Sequence, residues 1–244
     1  MKENKYDNPS FFDQYEKILR SQLGLEGAGE WHALKNMLPD FTGKNILDLG
    51  CGFGWHCRYA MENGAKSVIG IDLSEKMLTK AREINSLEGI RYERKALEDI
   101  HYPVEQFDLV LSSLTLHYVE SFEAIAQNVY QWLTSGGHFV FSVEHPVFTA
   151  EGSQDWSYDK NGNKTFWPVD RYFIERKRNT TFLGENVIKY HRTLTSYINT
   201  LLKQGFKIKE ITEPEPGQEM LKEIPEMKDE LRRPMMLLIS VEKG

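Results

Sequence analysis

The sequence lacks most of the features that mark metal-binding, secreted or membrane proteins. It has two cysteines in 244 residues, Cys51 and Cys57, which argues against a disulfide framework and against a zinc site. We therefore expect no bound metal and a reducing, cytoplasmic compartment. No apolar run approaches the roughly 18 residues of a membrane span, and residues 1–20 lack the apolar centre of a secretion signal. A membrane is thus not an expected partner.

Clustered positive charge is also scarce. The net charge is −6, and the largest basic block is the Arg-Lys-Arg triplet at 176–178. Because proteins that grip a phosphate backbone normally carry a basic stripe, nucleic acid is not an expected partner. Apolar residues make up 40% of the chain, which at this length suits one globular core with an elaboration on it.

A glycine-rich stretch is the most informative feature that the chain does have. Residues 45–54 have the sequence NILDLGCGFG, an apolar strand that runs into a loop with glycine at alternate positions. Asp72 follows at the end of a second apolar run, 67–71. A strand, a glycine turn, a helix and a strand that ends in a carboxylate form a nucleoside-binding half-site. The glycines let the backbone approach the ligand, and the acid accepts hydrogen bonds from the ribose hydroxyls.

The glycine spacing separates two classes of cofactor. Dinucleotide sites use G-x-G-x-x-G, in which the helix N-terminus holds a pyrophosphate. Here the loop is G-x-G-x-G, and Trp55 and His56 stand where a third, packing glycine would follow. With Asp48 before it, this motif resembles hh-D-h-G-x-G-x-G, the first motif of the class I S-adenosylmethionine-dependent methyltransferases, and is most similar to the bacterial type 11 small-molecule group. A tight turn in another α/β protein is the competing interpretation.

The resemblance implies S-adenosyl-L-methionine as the cofactor and S-adenosyl-L-homocysteine as its product. In that family the glycine loop faces the methionine part, and the acid after the second strand holds the ribose. Matched position by position, the expected cofactor contacts are Asp48, Gly50, Cys51, Gly52, Gly54, Asp72, Leu73, Met77, Leu97, Glu98 and Ser113, with Tyr15 and Arg20 contributed by a leading helix. Where many members have an adenine-binding Asp the chain has Ala96, so that contact is lost or Glu98 supplies it. Leu73, Met77 and Leu97 fit equally well as ordinary core residues.

Strands and helices are predicted to alternate along the first part of the chain. Strands are expected near 45–49, 67–71, 90–94, 107–112 and 138–143, with helices between them, which predicts an α/β protein with a doubly wound parallel sheet. The resemblance extends this to a Rossmann-like methyltransferase fold, a seven-stranded, mostly parallel sheet whose last strand, 235–241, runs antiparallel. We predict four parts: an N-terminal helical segment (1–43), a cofactor-binding core (44–143), an inserted β cap (144–193) after strand five, and a C-terminal completion of the sheet (194–244).

The predicted cap consists of two hairpins. Asn161-Gly162 is a strong two-residue turn signal between 156–158 and 166–167. A second alternating pair, 172–178 and 187–192, is expected to turn near 184–186. A structureless loop of about 50 residues inside a compact domain would be implausible, which favours a small β structure here.

The best candidate for a catalytic base is His117, because its segment leaves the carboxyl end of strand four beside the expected methyl donor. An imidazole there could deprotonate a hydroxyl or an ammonium near neutral pH. The alternative role is a histidine that hydrogen-bonds the loop and closes the top of the pocket.

Residues of the cap are candidates for binding the methyl acceptor. Arginine can hold a carboxylate or phosphate, and aromatic rings can stack on an apolar part of the acceptor. The candidates are His145, Trp167, Tyr172, His191 and Arg192. Alternatively, these side chains shape a turn, form a structural ion pair or make up the cap's own core.

Several functions agree with these features. The favoured prediction is methyl transfer from S-adenosylmethionine to a small molecule, whose accepting atom the sequence leaves open. A methyltransferase for a macromolecule is disfavoured, because the residues after strand four are Ser112-Ser113-Leu114-Thr115 rather than an Asn/Asp-Pro-Pro-Tyr motif. A nicotinamide oxidoreductase would need room for a pyrophosphate, against which the Gly54-Trp55 junction argues. A protein that binds the cofactor without turnover fits the motif equally well.

Overall fold

A seven-stranded mixed sheet with helices on both sides organises the molecule, and the predicted fold class is thereby confirmed. The computed structural model describes residues 4–244. The chain begins with short helices, which are α1 (Pro9–Tyr15), α2 (Leu19–Leu23) and α3 (Trp31–Met37). The alternating part follows as β1 (Asn45–Leu49), α4 (Trp55–Glu62), β2 (Ser67–Asp72), α5 (Glu75–Ile84), β3 (Ile90–Arg94), β4 (Phe107–Ser113), α6 (Phe122–Trp132) and β5 (Leu133–Glu144).

The rest of the chain adds the cap and completes the sheet. The cap contains α7 (Pro146–Thr149), β6 (Ser157–Tyr158), β7 (Lys164–Phe166), β8 (Lys177–Phe182) and β9 (Glu185–Tyr190). The final elements are α8 (Leu194–Gln204), β10 (Phe206–Thr212), α9 (Gln218–Glu223) and β11 (Met236–Lys243). Within residues 4–244 we find no helix with both the length and the apolar character that crossing a bilayer requires.

The strand order is β10-β11-β5-β4-β1-β2-β3. β1 to β5 pair in parallel, whereas β11 is antiparallel to both β5 and β10. The antiparallel last strand that the resemblance implied is therefore confirmed. Because the order reverses beside β1, the carboxyl ends of β1 and β4 open a crevice where ligands of such sheets bind.

Both faces of the sheet are buried, which explains the apolar runs. Leu47 and Leu49 of β1 pack into one core with α6 and α8, while Ile46 of the same strand packs into the other core with α3 and α4. Alternate residues of a strand point to opposite faces, so a strand covered on both sides is apolar throughout. Asp48 interrupts this run and is 1% exposed, which marks it as a residue with a specific role.

The cap forms two hairpins. The connection between β6 and β7 contains Asn161-Gly162 but spans residues 159–163, and of these two only Gly162 has positive φ, so it is longer than the predicted two-residue turn. The second hairpin also differs from the prediction. Its first strand begins at Lys177 rather than at residue 172, because the buried Arg178 guanidinium donates to the carbonyl oxygens of Ala150, Arg171 and Ile174 and fixes the preceding segment as an irregular turn. Its turn consists of residues 183 and 184, both with positive φ as a type I′ turn requires, and so lies one residue earlier than expected.

Candidate functional site

A cavity of about 290 Å³ lies at the carboxyl ends of the parallel strands. Gly50 and Gly52 after β1, Asp72 at the end of β2, Ser113 at the end of β4 and Glu144 at the end of β5 all line it. The predicted site residues in its wall are Tyr15, Arg20, Gly50, Gly52, Asp72, Leu73, Met77, Leu97, Glu98, Ser113 and His117. The fold therefore brings together side chains that are up to about a hundred positions apart in the sequence.

The glycine loop has a different structural requirement at each glycine. Gly50, Gly52 and Gly54 all have positive φ, at +78°, +53° and +77°. A Cβ atom on Gly50 would lie 2.1 Å from Oγ1 of Thr115, and one on Gly54 would lie 2.1 Å from the hydroxyl oxygen of Tyr92. A Cβ on Gly52 would meet no atom of residues 4–244 within 4 Å. Gly50 and Gly54 thus serve packing, whereas Gly52 keeps open a space that faces the cavity.

Asp72 lies opposite this loop and is held by main-chain donors. Its Oδ2 accepts a hydrogen bond from the amide of Gly52 at 3.0 Å, and its Oδ1 accepts one from the amide of Ser74 at 2.8 Å. Burial raises the pKa of Asp72 to about 6, although these hydrogen bonds act in the opposite direction. The carboxylate has remaining lone pairs for the hydroxyls of a ribose.

Asp48 lies beneath the loop rather than in the cavity wall. Its Oδ2 accepts a hydrogen bond from the thiol of Cys57 at 3.3 Å, and within residues 4–244 its buried Oδ1 accepts none. Burial raises the pKa of Asp48 to about 7. Cys51 is also buried, and burial raises the pKa of its thiol to about 11, so it contributes as a small apolar residue of the loop. Like Asp48 and Cys51, Gly54 is not part of the wall of the 290 Å³ cavity; it lies at the start of α4.

Arg20 joins the cavity to a residue that sequence reasoning missed. Its Nη2 donates to Oε1 of Glu30, and its Nη1 donates to Oγ of Ser113 at 3.2 Å. Glu30 is 1% exposed, and its Oε1 also accepts from Ser113 at 3.0 Å, while its buried Oε2 has no hydrogen-bond partner among the described residues. The Arg20 guanidinium outweighs burial and lowers the pKa of Glu30. No motif marks Glu30; only the need of a partly buried arginine for a carboxylate could have indicated it.

A smaller cavity of about 60 Å³ continues from the larger one past the glycine loop. The two share Tyr15, Arg20, Gly50, Gly52 and Ser113 as walls, and Cys51, Trp55 and His56 line the smaller one alone. The side-chain nitrogen of Trp55 and the hydroxyl of Ser21 are buried without a hydrogen-bond partner among residues 4–244. Buried polar atoms are normally paired, so these donors fit the polar end of a bound molecule.

The N-terminal residues 4–18, which we term the roof, close the cavity from above. Asp7 of the roof accepts from Oγ of Ser74 at 2.6 Å and from the amide of Lys76 at 3.1 Å, which fixes it to the start of α5. On the other side, the ring of Phe11 packs against that of Phe182 in the cap, with centroids 5.8 Å apart. The roof therefore bridges the cofactor-binding core and the cap.

His117 lies in the wall, 2% exposed, on the turn after β4. Its Nδ1 accepts a hydrogen bond from the backbone amide of Glu144 at 3.3 Å, so Nδ1 is unprotonated and the neutral ring carries its hydrogen on Nε2. Burial lowers the pKa of His117 to about 4. The ring is consequently neutral at physiological pH and connects two strand ends.

Glu144 lines the cavity beside His117 and forms a largely buried ion pair. Its Oε1 lies 2.5 Å from Nζ of Lys189, and its Oε2 accepts from Nε2 of Gln154 at 2.6 Å. Lys189 comes from the cap, and its side chain is 3% exposed. The ion pair joins the end of β5 to β9, and neither partner belongs to a recognisable sequence motif.

The predicted acceptor-binding residues of the cap lie outside the cavity, and their polar groups are bound within the protein. His145 caps α7, its Nδ1 accepting from the amide of Val147, and the side-chain nitrogen of Trp167 donates to the carbonyl oxygen of Val147. The ring of His191 contacts the hydroxyl of Thr149 and the carbonyl oxygen of Tyr172. The hydroxyl of Tyr172 accepts a hydrogen bond from the amide of Leu194. Arg192 donates to the carbonyl oxygens of Val119, Glu120 and Tyr190. These five side chains build the cap instead of lining the cavity.

Comparison with known proteins shows what the chain is similar to. Residues 47–141 match the methyltransferase domain family. An uncharacterized protein of Haemophilus influenzae is 34% identical over 252 residues, which cover 98% of this chain and 96% of the relative. A crystal structure from Listeria monocytogenes, assigned to the S-adenosylmethionine-dependent methyltransferases, has 62% identity and a TM-score of 0.86, covering 91% of this chain and 99% of the other. An S-adenosylmethionine-dependent methyltransferase from Mesorhizobium loti has 48% identity and a TM-score of 0.83, with 90% and 100% covered.

Curated relatives with a named activity are matched over only part of their length. Phosphoethanolamine N-methyltransferase 1 of Arabidopsis thaliana is 32% identical over 135 residues, which cover 53% of this chain and 27% of the relative. Malonyl-[acyl-carrier protein] O-methyltransferase of Enterobacter lignolyticus is 34% identical over 124 residues, which cover 51% and 48%. The chain thus spans about half, or less, of these enzymes.

Proposed function

The chain belongs to the class I S-adenosylmethionine-dependent methyltransferases, and on this premise we propose that it methylates a small molecule bound between the sheet and the cap. The cofactor supplies an activated methyl group on a sulfonium when it is bound. The chain's own residues must then hold both reactants in line and keep competing water out.

The cofactor end of the cavity fits S-adenosylmethionine. We assign the sugar hydroxyls of the cofactor to Asp72, and its amino-acid end to Arg20 and the smaller cavity. Gly52 is the position at which we expect the main chain to approach the cofactor closely. The open space at Gly52 and the unpaired buried oxygen of Glu30 are the structural features that support this assignment.

The observation that carries the proposal of a small acceptor is that the cap and the roof share the wall of the cavity with the sheet. Phe182, Val187, Ile188 and Tyr190 of the cap line the cavity, and so does Tyr6 of the roof. A pocket bounded in this way by three parts of the chain suits a compact acceptor. A macromolecular acceptor would have to thread a side chain or a base between the roof and the cap.

We propose that His117 positions this wall and does not act as a base. Its Nδ1 lone pair is occupied by the Glu144 amide, which supports a positioning role. We expect His117→Ala to lower turnover while the affinity for S-adenosylhomocysteine stays nearly unchanged. His117→Asn, whose amide oxygen can accept the same hydrogen bond but cannot act as a base, should restore most of the turnover. Equal loss in both variants would instead support the base.

Two measurements test the proposed function. Calorimetry with S-adenosylhomocysteine and with NAD should give binding of the first and little of the second. Incubation of the full chain with labelled methyl donor and a protein-free metabolite extract should then give a labelled small molecule. Binding of the donor without any labelled product would indicate a non-catalytic binding protein, and label in added protein or RNA would indicate a macromolecular acceptor.

A further inference from the structure

The charged residues that line the cavity differ between its two ends. The lysines and arginine of the wall, Lys5, Arg20 and Lys95, belong to the roof, to α2 and to the loop after β3. The part of the wall contributed by residues 117–236, which we term the acceptor end, contains Glu120 and Glu144 but no lysine or arginine. With His117 neutral, the ionised groups that line the acceptor end are the carboxylates of Glu120 and Glu144, and Lys189, which is not part of the wall, balances the charge of Glu144.

Two hydrogen-bond donors hold the Glu144 carboxylate in one orientation, and the carboxylate can still accept further hydrogen bonds. Lys189 and Gln154 each bind one of its two oxygens, at 2.5 and 2.6 Å. Lys189 also donates to Oε1 of Gln154 at 2.9 Å, so the three groups form a closed set of hydrogen bonds. A carboxylate can accept about four hydrogen bonds in all, so both oxygens can still accept one from a molecule in the cavity.

The other wall residues of the acceptor end favour a cation over an anion. Phe182, Tyr118 and Tyr190 contribute aromatic side chains, and Met235 and Met236 contribute polarizable thioethers. Aromatic faces attract ammonium groups, and the Lys189 ammonium already lies 5.3 Å from the Phe182 ring centroid and 5.8 Å from that of Tyr118. Burial raises the pKa of Tyr190, and the nearby Glu120 carboxylate acts in the same direction, so the two residues are neighbours in the wall.

From this arrangement we infer that the acceptor is a small amine and that Glu144 binds its nitrogen during transfer. The inference rests on the proposed function and names the substrate class of the same site. The neutral amine donates an N–H to Glu144, and its lone pair forms the new bond to the methyl carbon. The carbon–sulfur bond pair stays on sulfur, which gives S-adenosylhomocysteine and a methylated ammonium, R–NH2–CH3⁺. The positive charge thus moves from sulfur to nitrogen, towards a fixed carboxylate. The carboxylate therefore stabilises the transition state more than the ground state.

The chemistry of the labelled product tests the acceptor class. The full chain is incubated with labelled methyl donor and a protein-free metabolite extract. The label should be retained on a cation exchanger at neutral pH and should not become volatile in mild alkali. Alkali-released labelled methanol would reveal a methyl ester made from a carboxylate, and a neutral, alkali-stable product would reveal an ether; either result overturns the amine. Donor binding without any product contradicts the proposed function itself.

Variants test the role of Glu144 separately. With the labelled acceptor, Glu144→Gln should lower kcat/KM by roughly 10- to 100-fold, as expected for the loss of a charged hydrogen bond, and change S-adenosylhomocysteine affinity less than about twofold. Glu62→Gln, on the exposed face of α4, is the matched control. Because Glu144→Gln leaves the buried Lys189 without a counter-charge, the double variant Glu144→Gln/Lys189→Met keeps the test valid if the single variant folds poorly. Wild-type kcat/KM in either folded variant would overturn the role of Glu144.

Discussion

The substitution Gly52→Ala should separate cofactor binding from stability. Gly52 has φ +53°, and a Cβ there would meet no atom of residues 4–244 within 4 Å. The folded chain therefore has space for the methyl group, and the cost is that of the left-handed backbone, about 1 kcal/mol. For a chain of this size such a cost lowers Tm by roughly 2–4 °C. The same methyl group projects into the space that we assign to the cofactor.

Gly43→Ala is a control for the backbone cost alone. Gly43 has φ +71° and the same open surroundings, but it lies in the turn before β1 and outside the cavity. Both variants should lose similar stability in thermal unfolding of the ligand-free chain. In calorimetry with S-adenosylhomocysteine, Gly52→Ala should lose at least tenfold in affinity, about 1.4 kcal/mol, while Gly43→Ala should bind as the parent chain does.

A third variant completes the comparison. Gly50→Ala combines the left-handed strain with an atom 2.1 Å from Oγ1 and 2.6 Å from Cβ of Thr115, so we expect a larger loss of stability, roughly 2–5 kcal/mol. Parental S-adenosylhomocysteine affinity in Gly52→Ala would refute the placement of the cofactor at the glycine loop. Equal destabilisation of all three variants would refute the division of the loop into packing glycines and one ligand-facing glycine.

Three further changes have distinct expected outcomes. Glu30→Gln leaves the Arg20 guanidinium without its charge partner, so it should lower the free energy of unfolding measured in urea by about 3 kcal/mol and weaken S-adenosylhomocysteine binding. The control Glu62→Gln, in an exposed pair, should lower the free energy of unfolding by less than about 0.5 kcal/mol. Burial raises the pKa of folded Asp48 to about 7, above its value in the unfolded chain, so ionisation of Asp48 opposes folding. The stability of Asp48→Asn relative to the parent should therefore rise between about pH 4 and pH 7. A stability difference that stays constant over this range would contradict the prediction. Trp167→Leu should lower Tm and leave S-adenosylhomocysteine affinity unchanged, because the ring packs on Phe148 in the cap; a large loss of affinity would place it in the site after all.

The core of the fold could be predicted because each of its signals is local. The strands are continuous apolar runs, and Ser74, Ser121 and Thr193 cap the helices after them as their sequence positions suggest. The glycine motif predicted the loop, and its spacing along the sequence identified Asp72 as the acid opposite it. The direction of β11 has no local signal, and it was available only through the resemblance to a known family.

The contacts of the cap could not be predicted, because they depend on which side chains meet across long stretches of sequence. Trp167 stacks on Phe148, and the guanidinium carbon of Arg233 contacts both rings, 4.0 Å from the Trp167 centroid and 4.5 Å from that of Phe148. Arg192 binds carbonyl oxygens more than 70 positions away. Aromatic and cationic residues in a short segment suit either a binding surface or a packed interior, and only the three-dimensional neighbours distinguish the two. Glu30 and Glu144 escaped prediction for the same reason.

The placement of β11 has a consequence for how the chain folds during synthesis. It follows the other strands of the sheet along the sequence, yet it lies between β5 and β10 and pairs with both. Until the ribosome has released Met236–Lys243, the edge of β5 stays unpaired and exposes an apolar strand that other chains could join. We therefore expect nascent chains that stop short of this strand to depend most on chaperones, even though every residue of the glycine loop has already been made.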